Sequence, residues 1–217
     1  MITDLAHYYV HTAADYERGY DTEECQDDLE ELHEKVADLL AGHKVLELAC
    51  GTGYWTETIA DVADSVHATD LSSEMLDLAR ARGLDSDIVT FSVADAFDLP
   101  AELIDEKFTA CFAGFWWSHV KREDQERFLK QLRTKLGKDV LLVMIDNSYV
   151  DGSSTVIART DLEGNTFQIR TASDGTRFEV LKNFPADSAL RKRLAGSGRE
   201  IRVMRLEYYW LLSCRLK

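Results

Sequence analysis

The chain has 217 residues, 45% hydrophobic and 29% charged, which suits one soluble globular domain with a sizeable core. Its formal net charge of −14 disfavours a long nucleic-acid footprint, which needs a basic surface. No apolar run is long enough to span a membrane, and Met1 to Val10 lacks the basic and apolar regions of a signal peptide. Cys25, Cys50, Cys111 and Cys214 are scattered without a CxxC pair, so reduced thiols and a cytoplasmic protein are expected.

Residues 1–20 carry Tyr8, Tyr9, Tyr16 and Tyr20, with His7 and His11 beside the first pair. Ala13 to Tyr20 reads as helical. Such a density of aromatic rings suits a lid over a ligand, or a helix packed on the domain edge. Asp21 to Ala41 reads as a helix, with Asp21 and Glu24 as a capping box and Gly42 as its stop. Cys25, Leu29, Leu32, Val36, Leu39 and Leu40 make one apolar stripe. The acids of its first turns spread around the axis, which disfavours a metal site.

Val45 to Leu48 reads as a buried strand. The chain then turns through Cys50-Gly51-Thr52-Gly53 into a helix, Tyr54 to Val62. Glycines there let the backbone approach a ligand, and the helix-start amides can donate to it. Ser65 to Thr69 is a second strand ending in Asp70. An acid about twenty residues past the glycines can accept from both hydroxyls of a ribose. Read alone, Asp70 could equally cap the next helix, which Ser72-Ser73-Glu74 opens and Ala81 ends. Asp87 to Val93 is a third strand, followed by Ala94-Asp95-Ala96-Phe97. Asp95 is placed to accept from an exocyclic amine, though alone it also reads as a turn acid.

Phe108 to Phe112 is a fourth strand. The stretch from Ala113 to Val120 follows at the ligand end of such a sheet. Lys121 to Leu136 is a helix, and Val140 to Ile145 a fifth strand. Thr166 to Ala172 and Thr176 to Lys182 alternate around Ser173-Asp174-Gly175, a hairpin signal. Pro185 to Leu194 is a short helix, and Ile201 to Leu206 and Tyr208 to Leu216 are two closing strands. One domain is expected: N-terminal helices as a lid (1–41), a ligand-binding core (44–147), a capping insertion with the hairpin (148–184), and a closing helix and strands (185–217).

With these residues in place, the chain resembles class I S-adenosylmethionine-dependent methyltransferases of the small-molecule type, over roughly residues 44–147. Glu47-Leu48-Ala49-Cys50-Gly51-Thr52-Gly53 is similar to the family's first motif, E/D-x-G/A-x-G-x-G. Asp70 falls on its ribose acid and Ala94-Asp95-Ala96 on its adenine motif. The resemblance implies a Rossmann-like α/β fold: a doubly wound seven-stranded sheet, mostly parallel with an antiparallel last strand. It also implies S-adenosyl-L-methionine as cofactor and a small-molecule methyl acceptor.

Carried over, Gly51 and Gly53 pass close to the methionine part and Glu47 holds the amine. Asp70 holds the ribose and Asp95 the adenine amine. Leu71 and Phe97 flank the ring beside Ala96, and Ala113 meets the methionine end. Ala49, Thr52 and Met75 complete the cofactor set, with Tyr16 or Tyr20 reaching in from the N-terminus. His119 is the candidate base, or else only shapes the pocket.

Phe115, Trp116 and Tyr149 are expected to wall a pocket for a partly apolar or aromatic acceptor. Trp116 and Trp117, being adjacent, should point apart. A dinucleotide reading would require a third glycine where Thr56 stands. Two further alternatives are a cofactor-binding protein without methyl transfer and a homologue doing other chemistry on the cofactor. Carboxyl transfer would call for an arginine poised for a second carboxylate, and the loops offer no obvious candidate. The acceptor's identity and the oligomeric state stay open.

Overall fold

The computed structural model describes residues 8, 9, 11–13, 23–104 and 107–217. Two sheets are present among them. The larger contains β1 (Lys44–Leu48), β2 (Ser65–Asp70), β3 (Val89–Val93), β4 (Ala110–Gly114), β5 (Leu141–Asn147), β9 (Gly198–Arg205) and β10 (Tyr209–Leu216), in the order β3-β2-β1-β4-β5-β10-β9. The first five run parallel, and β10 lies antiparallel to both its neighbours. This is the expected Rossmann-like sheet with its antiparallel last strand. The smaller sheet holds β6 (Ile157–Thr160), β7 (Thr166–Thr171) and β8 (Arg177–Leu181), all antiparallel.

Six helices accompany the strands among the described residues: α1 (Gln26–Leu40), α2 (Tyr54–Ala60), α3 (Ser73–Ala81), α4 (Ala101–Ile104), α5 (Arg122–Leu136) and α6 (Asp187–Leu194). The α1 stripe of Leu29, Leu32, Val36 and Leu40 is buried, as its helical spacing requires. It joins Trp55 and Ile59 of α2 and Leu76 of α3 on one face of the sheet. Phe128, Leu129 and Leu132 of α5 join Leu190 and Leu194 of α6 on the other. Side chains of β1 alternate between the two layers, Val45 to the first and Leu46 and Leu48 to the second. Both faces of the central strands are therefore covered, and their near-continuous apolar sequences follow from that.

Several boundaries differ from the sequence expectation. The α1 helix starts at Gln26 after a 3-10 turn at Glu23–Cys25, and Cys25, its N-cap, makes no side-chain cap. Asp21 and most of the expected helix at Ala13 to Tyr20 lie outside the described residues. Strand β4 begins and ends two residues later than expected, at Ala110 and Gly114. The β6 strand was not expected, because all four of its residues are exposed and carry no hydrophobic alternation.

The sheet order reverses between β1 and β4, since β1 pairs with β2 on one side and β4 on the other. At such a point the two loops leave in opposite directions and a crevice opens at the C-terminal strand ends. The small sheet is tied to that end. Asn183 donates its amide to Ser118 O (2.8 Å) and its side chain to Val120 O (3.2 Å), and Arg122 donates its amide to Asn165 Oδ1 (2.8 Å). Both asparagines are buried, so their amides replace water as partners for this loop backbone.

Candidate functional site

A cavity of about 410 Å³ occupies the crevice beyond the ends of β1, β2, β3 and β4. Its floor is the turn after β1. Ala49 and Gly51 both adopt positive φ, 51° and 57°. The second is left to glycine at no cost; the first stores strain at the spot where the backbone meets the cavity. A Cβ on Gly51 would meet nothing within 4 Å. Gly53 also has positive φ (80°), but it is buried against α3, where a Cβ would lie 3.0 Å from Ala79 Cβ. It sets the approach of the two helices and does not line the cavity.

Three carboxylates line the walls from successive strands: Glu47 of β1, Asp70 of β2 and Asp95 after β3. Glu47 is buried and its Oε2 accepts from Thr56 Oγ1 at 2.6 Å. Burial, with the Asp70 charge adding to it and Thr56 opposing, pushes its carboxyl up to about 7. Asp70 accepts from the Gly51 amide through Oδ2 and from the Ser72 amide through Oδ1, both at 2.9 Å. It thereby holds the glycine turn against the start of α3. The cap of that helix is Ser72, whose Oγ accepts from the Met75 amide. Burial raises Asp70, and the backbone donors oppose the rise. Asp95 accepts from the Phe97 amide (2.8 Å), the hydrogen bond of an Asx turn, and lies exposed at the rim.

The remaining walls are apolar. Leu71, exposed at 61%, Phe97, Phe115 and Trp116 supply them. Phe115 is a non-glycine residue at φ 56°, placed by a backbone turn that ends β4. Trp116 lines the cavity, whereas Trp117 is 1% exposed in the core, and both rings pack against Phe128.

His119 is buried at the cavity edge. Its Nδ1 lies 2.5 Å from Leu181 O, which can only accept, so Nδ1 carries the proton. Its Nε2 then accepts from the Tyr9 hydroxyl at 2.5 Å. Burial, with Lys182 and Arg170 adding to it, holds its pKa well below the usual imidazole value.

Of the residues named from sequence, Glu47, Ala49, Gly51, Thr52, Asp70, Leu71, Met75, Asp95, Ala96, Phe97, Phe115, Trp116 and His119 share this one cavity. Ala113 lies in the core, and Gly114 beside it forms the wall. Tyr149 sits elsewhere, its ring edge-on to Phe184 at 5.2 Å. Tyr16 and Tyr20 lie outside the described residues.

Tyr9, one of the tyrosines read as a lid, lines the cavity, while sequence reasoning missed Tyr54 and Trp55 as wall residues. The spacing of Tyr54 and Trp55 just after the glycines was the available signal. The Trp55 indole is buried, and its Nε1–H has no hydrogen-bond partner among the described residues. Trp210 Nε1, deep in the core, is unpartnered in the same way. Among the described residues there is no group of three or more His, Cys, Asp or Glu placed to hold a metal, and no helix long and apolar enough to cross a membrane.

Comparison with known proteins agrees with this geometry. A family model described as a methyltransferase domain matches residues 45–139. Methyltransferase GfsG of Streptomyces halstedii is 30% identical over 162 residues, 72% of this chain and 54% of that protein. Demethylmenaquinone methyltransferase of Clavibacter sepedonicus is 35% identical over 96 residues, 43% of this chain and 38% of that protein. The chain thus spans about half, or less, of the length of these curated relatives. Among solved structures, a DhpI–SAH complex is 30% identical with a TM-score of 0.72, covering 96% of this chain and 93% of that one. A DhpI–SAM–HEP complex is 28% identical with a TM-score of 0.74, covering 97% and 95%.

Proposed function

Because the chain belongs to the class I S-adenosylmethionine-dependent methyltransferases, we propose that its cavity binds S-adenosylmethionine and serves methyl transfer to a small, partly apolar acceptor. The observation that carries this reading is the convergence of Glu47, Asp70 and Asp95 on one cavity that Phe97, Phe115 and Trp116 also line. Three carboxylates suit a ligand with an ammonium, vicinal hydroxyls and an exocyclic amine. A diphosphate would meet the buried Glu47 as a like charge.

The residues present fit the cofactor. Glu47, fixed by Thr56 and raised by burial, gains from an ammonium that lets it ionise. Asp70 offers its remaining lone pairs to ribose hydroxyls, and Leu71 and Phe97 flank a flat ring. When bound, S-adenosylmethionine supplies an electrophilic methyl group whose bond to sulfur breaks as the bond to the acceptor forms, the electron pair staying on sulfur.

The chain's own task is positioning, exclusion of water and, for a protonated acceptor, proton removal. Phe115 and Trp116 give the acceptor side a dry wall. Tyr9 Oη already donates to His119 Nε2, so it could take an acceptor's proton only by passing its own on to Nε2. In this reading His119 is the final proton acceptor of the relay, against the burial that holds its pKa low.

The test is conversion of S-adenosylmethionine to S-adenosylhomocysteine by the full chain with pooled small acceptors, followed by mass spectrometry. Acceptor-dependent S-adenosylhomocysteine with a product heavier by one methylene supports it. Cofactor binding with no turnover on any small acceptor would favour a binding protein without transfer.

A further inference from the structure

His33 of α1 does not line the cavity, but it touches two residues that do. Its imidazole stacks on the Trp55 indole, with ring centroids 4.3 Å apart and planes 19° from parallel. Its Nε2 lies 3.1 Å from Tyr54 Oη, and its Nδ1 lies 2.7 Å from Thr58 Oγ1. Burial lowers the pKa of this half-buried ring, which is therefore uncharged at neutral pH. An uncharged imidazole has one donor and one acceptor, so one of the two hydroxyls accepts from it and the other donates to it. The stack and both hydrogen bonds fall within Tyr54 to Thr58, and they fasten the opening turn of α2 to α1.

The strand order places that turn at one end of the cavity. Asp70 and Asp95 belong to β2 and the end of β3, on one side of β1, whereas Gly114 and Phe115 lie at the end of β4, on the other. Trp55 sits on the β4 side: its ring centroid is 6.2 Å from that of Phe115, and a Cβ on Gly114 would lie 3.3 Å from Trp55 Cδ1. Thr56, next in the chain, donates to Glu47 Oε2 of β1. Tyr54 and Trp55 thus wall the Glu47 end of the cavity, away from the acids placed for ribose and adenine. A leucine at position 33 would supply apolar packing between the two helices. The imidazole adds a flat face for the indole and a polar partner for each hydroxyl.

From this stack and this pair of hydrogen bonds we propose that His33 is a positioning residue of the cofactor site, holding Tyr54 and Trp55 against the amino-acid end of the methyl donor. The inference rests on the methyl-donor reading and adds to it a residue that never touches the ligand. The imidazole face blocks the indole from tilting towards α1. The bond at Tyr54 Oη holds the phenol ring at its far end. Both walls are therefore set before the ligand arrives, which lowers the ordering cost of binding. The adenosine end is held by residues of β2, β3 and their loops, and so does not depend on His33.

The test is isothermal titration of the full chain and two variants, His33→Leu and His33→Phe, with S-adenosylhomocysteine and with methylthioadenosine. The second ligand keeps the adenosine and the sulfur and lacks the amino acid. His33→Leu should weaken S-adenosylhomocysteine about tenfold. His33→Phe, which keeps a flat ring against Trp55 and loses the hydrogen bonds, should weaken it by less. Both variants should bind methylthioadenosine within about twofold of the parent, which reports an intact crevice; a merely structural histidine would cost both ligands alike. Equal loss of the two ligands, or unchanged affinity for S-adenosylhomocysteine in both variants, overturns the role of His33. A parent chain that binds neither ligand overturns the cofactor reading, and the role of His33 with it.

Discussion

The hydroxyl of Tyr9 stands 2.5 Å from Nε2 of His119, across 110 residues of sequence. Tyr8 beside it packs edge-on against Phe178 of the small sheet at 5.3 Å. Tyr8 and Tyr9 thereby join the small sheet to the cavity edge at His119. That contact makes Tyr9 part of the cavity wall, and it leaves His119 without a lone pair of its own for the acceptor.

Tyr9→Phe removes the hydroxyl and keeps the ring contacts with Tyr8 and His119. It should lower kcat about tenfold or more, the range for one well-placed hydrogen bond or proton carrier. Affinity for S-adenosylhomocysteine should stay within about twofold, since one hydrogen bond remote from the carboxylates is lost. Steady-state kinetics with titration of S-adenosylhomocysteine checks both; an unchanged kcat would remove Tyr9 from the chemistry.

The Glu47 carboxyl, pushed up to about 7 by burial, sets a pH dependence. Cofactor binding needs the ionised form beside an ammonium, so affinity should fall about tenfold from pH 8 to pH 6. In the ligand-free chain the sign is opposite. The folded state keeps a proton that the unfolded state releases near 4.5, so this group's contribution to stability falls as pH rises from there to about 7. Calorimetric titration across that range should show proton release on binding. Glu47→Gln should bind weakly with little pH dependence; a variant that keeps the full pH dependence would place its source elsewhere.

Gly53→Ala tests the turn itself. The new Cβ meets Ala79 at 3.0 Å on a residue at φ 80°. The strain should cost about 1–3 kcal/mol, or roughly 2–12 °C in Tm for a chain of this size. Cofactor affinity should fall with it, because the displaced helices carry Trp55 and Met75 of the cavity wall. Thermal denaturation showing no loss would mean that α2 and α3 yield freely.

The parallel core was legible because β1, β4 and β5 are covered on both faces, which forces unbroken apolar runs such as Leu141 to Ile145. The glycine turn was legible because few residues tolerate its backbone. Where burial imposes no pattern the sequence was silent: exposed β6 has no period to read. The shift of β4 by two residues brings Gly114, rather than Ala113, to the crevice. Arg170 and Lys182 escaped notice because a cation in a hairpin strand reads as a solvent-facing residue; only the fold over Ser118 and Asp146 turns Lys182 inward. Tyr9 and His119 meet only through tertiary structure.

The central claim is that the cavity formed by Glu47, Asp70 and Asp95 is a sulfonium-cofactor site. Isothermal titration of the full chain with S-adenosylhomocysteine and, separately, with NAD measures it most directly. The account predicts saturable one-to-one binding of S-adenosylhomocysteine, weakened in Glu47→Gln, and none of NAD. Binding of NAD without S-adenosylhomocysteine would contradict it.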